Sequence, residues 1–129
     1  MTGRLDPRAA YERVRAGAVL VDIRSRLHRL TEGVIPAALI IDRADLERRL
    51  DPASPSCLSI AAYDLEVIVV CNEGHASGIA AEALRQLGLR AATDLVGGFR
   101  AWRALGLPVT QAHKFRSAAA KGQPADALR

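Results

Sequence analysis

Cys71 follows the unbroken run Val67-Ile68-Val69-Val70 and precedes Asn72-Glu73-Gly74-His75-Ala76, a segment so short that it must curl tightly. A cysteine so placed can serve as a nucleophile, because a thiolate attacks sulfur and other soft centres by simple displacement. What favours thiolate over thiol is a set of N–H groups aimed at the sulfur. Ser77 to Leu87 carries Ile79, Ala80, Ala83, Leu84 and Leu87 at helical spacing, and Gly88 is placed to stop that helix. The loop and the first helical turn would point their free N–H groups inward and could hold an anion beside the sulfur. Upstream, the β-branched run suits a strand buried on both faces of a parallel sheet. Open α/β sheets place their ligands at the carboxyl ends of such strands. The plainer alternative is a buried cysteine that merely ends a strand.

Two loop side chains bear on the same chemistry. Glu73 adds a carboxylate that would disfavour a thiolate and repel anionic donors. His75 offsets it when protonated, or is simply a solvated loop residue. No Cys and His cluster at metal-ligand spacing occurs, so no metal and no cofactor are expected.

The 129 residues suffice for one core but not two, and half of them are hydrophobic, which excludes a disordered chain. No apolar run is long enough to span a bilayer, and the first residues lack the apolar core of a signal peptide. A cytoplasmic protein with no membrane partner is expected, its two cysteines unpaired. The net charge of +4 comes mostly from arginines scattered along helices, and aromatics make up 4%. That pattern predicts attraction for small anions, not nucleic-acid binding.

The elements that must position Cys71 follow from the rest of the chain. Asp6-Pro7 reads as an N-cap and first turn, opening a helix to about Arg15 that buries Ala10, Tyr11 and Val14 and ends at Gly17. Ala18-Val19-Leu20-Val21 is a second buried strand, closed by Asp22-Ile23-Arg24, where Asp22 is read as a cap on the next turn. Arg26 to Glu32 is a short helix, and Gly33 to Ala38 makes a tight passage into a strand at 38–41. Asp42 is expected to cap a helix over Ala44 to Leu50, Asp51 to Pro55 is a loop, and Cys57 to Ala62 a brief helix. A strand near 92–95 precedes Gly97-Gly98-Phe99-Arg100-Ala101-Trp102, whose tryptophan belongs to the core. His28 and Arg100 are read as surface positions. The ordered domain is expected over 1–110, with a flexible tail over 111–129.

Four of these stretches together resemble the rhodanese-like sulfurtransferases. That family follows its loop cysteine with C-x-x-G, a variable residue and two small ones, matched here by Cys71, Gly74, Ala76 and Ser77. Asp22 and Arg24 match a D-x-R element at a strand end. Gly33 to Ala38 is close to G-H-I-P-G-A, with Val34 and Ala37 departing from it, and Gly97 to Trp102 is a complete G-G-x-x-x-W. The resemblance implies an α/β fold: a mostly parallel sheet of about five strands, helices on both faces, one strand near the N-terminus. It implies that Cys71 accepts a sulfane sulfur as a persulfide and passes it to a thiophilic acceptor. The loop Asn72, Glu73, Gly74, His75, Ala76 and Ser77 would surround that sulfur, while Asp22, Arg24 and Arg100 support it. Cys57 is then either a small buried hydrophobe or a resolving thiol for Cys71. The donor is a small sulfur compound such as thiosulfate, or a persulfidated protein, and the molecule a monomer or weak dimer.

Two other classes compete. A non-enzymatic sulfur carrier or regulatory binding module would use the same fold. Cysteine-dependent phosphatases and arsenate reductases of similar fold carry an arginine where this chain has Ser77, and that arginine grips the oxyanion bidentately.

Overall fold

The computed structural model describes residues 3–112; the tail expected from 111 lies, from 113 onward, outside the described residues. Strand and helix alternate along the chain. The first helix, α1 (Pro7–Arg15), starts as its sequence dictates: Asp6 Oδ1 accepts the Ala9 N–H at 2.8 Å and proline fills the first helical position. Next come β1 (Val19–Asp22), α2 (Arg26–Glu32) and β2 (Leu39–Ile40). After a single 3-10 turn (Arg43–Asp45) the chain forms α3 (Leu46–Leu50), then β3 (Val67–Val70), α4 (Ala76–Gln86), β4 (Thr93–Asp94) and α5 (Gly98–Ala104).

The strands form one parallel sheet in the order β2-β1-β3-β4, with β3 central and every residue of it buried. Alternation along β3 sends Val67 and Val69 to one face, where α3 and α4 contribute Leu46, Leu50, Ala80, Ala81 and Leu84. Ile68 and Val70 face the other way, onto Ala10 of α1 and Phe99 and Trp102 of α5. Trp102 is core, as expected, with its indole N–H donated to Pro108 O at 2.8 Å and its ring edge-on to Tyr11. No described helix is long and apolar enough to cross a membrane.

Several expectations need correction. The described sheet has four strands, not five: Leu5 makes a single parallel bridge to Leu95, because Asp6-Pro7 turns the chain into α1 before a strand can grow. The strands expected at 38–41 and 92–95 shrink to residue pairs, since β2 and β4 each have only one neighbour within the sheet. Asp42 makes no side-chain cap, and the segment from 43 begins as a 3-10 turn rather than an α-helix. Cys57 to Ala62 is turns, with Leu58 its only buried residue, too few to give a helix an inward face. Tyr11 and Val14 are half-buried and not enclosed. In α4 the inward face is Ser77, Ala80, Ala81 and Leu84, whereas Ile79 is 72% exposed. The helix is rotated from the phase its apolar residues suggest because Ser77 is drawn inward by the partners described next.

Candidate active site

Cys71 directly follows β3, with its Sγ at the bottom of a cradle. The N–H groups of Gly74 and Ser77 reach it at 3.1 and 3.3 Å, and Ser77 Oγ lies 3.2 Å away. Such donors stabilise negative charge on sulfur at fixed positions. The loop can curl this tightly because Gly74 adopts φ 96° with its carbonyl and amide turned to neighbours; a Cβ there would stand 2.8 Å from Gly97 N. The paired glycines press from the other side. Gly98 has φ 64°, and a Cβ on it would come within 2.5 Å of Cys71 O and 2.7 Å of Gly74 N. With nothing between the two backbones, the first N–H groups of α5 donate to the loop: Phe99 N to Cys71 O at 2.8 Å and Arg100 N to Asn72 O at 3.1 Å.

At the end of β1, Asp22 holds Arg24, which lies two residues beyond the strand and reaches the same loop. Asp22 Oδ1 accepts the Arg24 N–H at 2.8 Å, and its carboxylate binds the guanidinium at 3.0–3.2 Å, both groups being fully buried. Arg24 then donates to Gly33 O at 2.6 Å and to Asn72 Oδ1 at 3.3 Å, and its guanidinium lies over Phe99 at 3.8 Å. The turn-forming and loop-facing readings of Asp22 thus describe one geometry.

A cavity of about 410 Å³ opens over Cys71, lined by Arg24, His28, Arg43, Glu73, His75 and Arg100 together with apolar atoms of Ile23 and Ala76. Its charges are largely matched within the protein. Glu73 meets Arg100 Nη1 at 2.6 Å, and Arg100 also bonds both oxygens of Glu32 at 3.2 Å. The Arg100 hydrogen bond, opposed by burial and helped by Asn72, holds the Glu32 carboxyl down to about 2. Arg43 is paired with Glu47 at 2.6 Å. His75 is exposed at the start of α4 and makes no side-chain cap. Cys57 is half-buried and free, its Sγ 4.0 Å from Pro52 O. No metal-binding group of His, Cys, Asp and Glu occurs among the described residues.

Residues that the sequence reading left out stand on the far side of the sulfur and at the rim. Asp94, 2% exposed at the end of β4, accepts the Ser77 hydroxyl at 2.7 Å. Arg4 binds both oxygens of Asp94 at 2.9 Å and donates to Gly74 O at 2.8 Å. Hydrogen bonding to Asp94, partly opposed by burial and assisted by the charges of Asp94 and Cys71, raises the Arg4 guanidinium above its ordinary value. A signal for Asp94 existed, since it is an acid at a strand's carboxyl end, as Asp22 is. Arg4 had none: its partners lie 70 and 90 residues away. His28 and Arg43 likewise line the cavity only through folding, and Glu32 reaches it through Arg100 and Asn72.

Residues 6–105 match the family model of the rhodanese-like domain. The thiosulfate sulfurtransferase GlpE of Stutzerimonas stutzeri (strain A1501) is 35% identical over 100 residues, spanning 78% of this chain and 84% of its own. A solved structure from Rhodopseudomonas palustris, described as a protein of unknown function and possible tyrosine phosphatase, superposes with a TM-score of 0.76. It is 31% identical, over 84% of this chain and 85% of that one. A rhodanese-related protein from Thermoplasma volcanium gives a TM-score of 0.67 at 27% identity, over 83% and 96%.

Proposed function

This chain belongs to the rhodanese-like domain family, and on that premise we propose that it is a sulfurtransferase working through a persulfide on Cys71. The observation that carries this reading is the cradle: one sulfur at the floor of an open cavity, with the N–H groups of Gly74 and Ser77 directed at it. Cys71 thiolate attacks the sulfane sulfur of the donor. A new S–S bond forms as the donor's own bond breaks, and the leaving group departs with the electron pair, as sulfite from thiosulfate or as thiolate from a persulfide. The loop from Asn72 to Ser77 surrounds the transferred sulfur, while Asp22, Arg24 and Arg100 hold the loop in shape. A thiophilic acceptor then attacks the terminal sulfur and returns Cys71 to the thiolate.

Because Arg24, Arg43 and Arg100 are each engaged by carboxylates, the described residues lining the cavity offer no lone arginine to draw in a dianion. A low-charge donor or a persulfide therefore suits it as well as thiosulfate does. Phosphoryl transfer suits it poorly, since Ser77 stands where a guanidinium is needed and its hydroxyl is given to Asp94.

Intact-mass analysis after incubation with thiosulfate or a small persulfide tests the reading. A gain of about one sulfur atom is expected, lost in Cys71→Ser and kept in Cys57→Ser; a gain that survives Cys71→Ser overturns it. Cyanolysis separates the remaining roles, because catalytic thiocyanate marks an enzyme and a single equivalent a carrier. Hydrolysis of an aryl phosphate is expected not to exceed that of Cys71→Ser.

A further inference from the structure

On the side of Cys71 away from the cavity, hydrogen bonds run from the sulfur to the N-terminal segment. Cys71 Sγ meets Ser77 Oγ at 3.2 Å, Ser77 Oγ meets Asp94 Oδ2 at 2.7 Å, and Arg4 closes on both Asp94 oxygens at 2.9 Å. Cys71, Ser77 and Asp94 are buried, whereas the Arg4 side chain is half-exposed. A serine hydroxyl has one proton to give, and an ionised carboxylate can only accept. A short bond to a carboxylate outweighs one to sulfur, so the Ser77 proton belongs to Asp94. What Ser77 then turns toward Cys71 is a lone pair. It accepts from the thiol and cannot donate to the thiolate while Asp94 holds it.

We propose that Asp94 is a positioning residue that, through Ser77, holds Cys71 in its protonated form, and that Arg4 opposes it by neutralising the acid. The proposal rests on Cys71 being the reacting group. It assigns the level of resting reactivity to residues outside the loop. The charge of Asp94 acts in the same direction as the hydroxyl it orients, because an anion behind the sulfur disfavours a second one. Other charged or titratable groups around Cys71 are Glu73 and His75 of the loop, Arg24 with Asp22 from β1, His28 from α2, Arg43 from the 3-10 turn and Arg100 from α5. All are unchanged in the comparisons below.

The test is the pH dependence of Cys71 alkylation by iodoacetamide, in full-length Cys57→Ser protein so that one thiol reports. Asp94→Asn should shift the alkylation midpoint to lower pH and speed the reaction about three- to tenfold on the acid side of the parent midpoint. Arg4→Gln should shift it to higher pH. In a Ser77→Ala background the Asp94→Asn shift should shrink to less than about half, because the oriented hydroxyl is gone and only the distant charge is left. A midpoint that does not move, or moves the opposite way, in folded Asp94→Asn overturns the proposal, as does a full shift that persists without the Ser77 hydroxyl. If Asp94→Asn does not fold, an unmoved midpoint in Arg4→Gln overturns it instead. Alkylation needs no sulfur donor. Failure of the sulfur-transfer reading would appear as absent persulfide mass and leave this pattern intact.

Discussion

At the mouth of the Cys71 cavity the Glu73 carboxylate is held by Arg100 Nη1 at 2.6 Å, and both side chains are half-exposed or more. In the sequence only His75, when protonated, stands to offset Glu73; in the fold an arginine from α5 shares the rim with it. Arg100 is shared in turn with Glu32, so one cation serves two carboxylates. Glu73→Gln leaves Arg100 with a single acid and removes one negative charge from the path of an anionic donor. At a solvated rim that change is worth about 1 kcal/mol or less. The expected result is a rise of up to about fivefold in thiosulfate kcat/KM at low salt, fading as salt screens the rim. Arg100→Ala should move the same quantity in the opposite direction. Steady-state kinetics with thiosulfate at two ionic strengths checks both, and equal rates in all three proteins would place donor binding away from this rim.

The element that holds the sulfur loop is the N-terminus of α5, and the contact is backbone against backbone. Gly98 donates nothing from a side chain; its value is the absence of one, since a Cβ would collide with Cys71 O, the Asn72 carbonyl carbon and Gly74 N. Gly17 makes an instructive comparison. It also has positive φ, 115°, yet a Cβ there meets nothing within 4 Å. Gly17→Ala should therefore cost only left-handed strain, about 1–2 kcal/mol. Gly98→Ala adds a clash with main-chain atoms that cannot rotate away, and should cost at least about 3 kcal/mol while pulling Cys71 out of register with its N–H donors. Urea denaturation of the two variants gives the contrast directly, and equal midpoints would contradict it. The paired glycines are visible in the sequence, but their partner is not. Nothing local says that residues 97–98 lie against 71–74.

Over the whole molecule the parallel sheet divides the apolar interior in two, with Leu84 in one cluster and Ile68 in the other. Both are fully buried. Leu84→Ala should cost about 3 kcal/mol and Ile68→Val about 1 kcal/mol, in each case the lost transfer energy plus that of the space left behind. Since the two side chains share no cluster, their effects should add to within about 0.5 kcal/mol. Chemical denaturation of the single and double variants measures this. A larger discrepancy would mean that the two faces repack as one.

How much of this was legible before folding depends on how far apart the interacting groups lie. Cys71, the strand before it and the loop after it are contiguous, so their order and the tight curl around the sulfur were readable from residue types alone. The same holds for the Asp6-Pro7 helix start and for β1, where period, cap and breaker lie within a few residues of one another. The phase of α4 was not readable, because apolar count favours Ile79 and the fold favours Ser77. A polar residue is turned inward when buried partners can satisfy it, and those partners come from β4 and from the loop. Arg4, Glu32, Asp94 and Arg100 share that origin, each joining the site from a different element. Local sequence determined the strand, the cysteine at its carboxyl end and the loop that curls around the sulfur. The charged groups that surround it were decided only by tertiary structure, because Coulombic and hydrogen-bonding partners are set by distance in space, which a parallel sheet makes small for residues up to 90 positions apart.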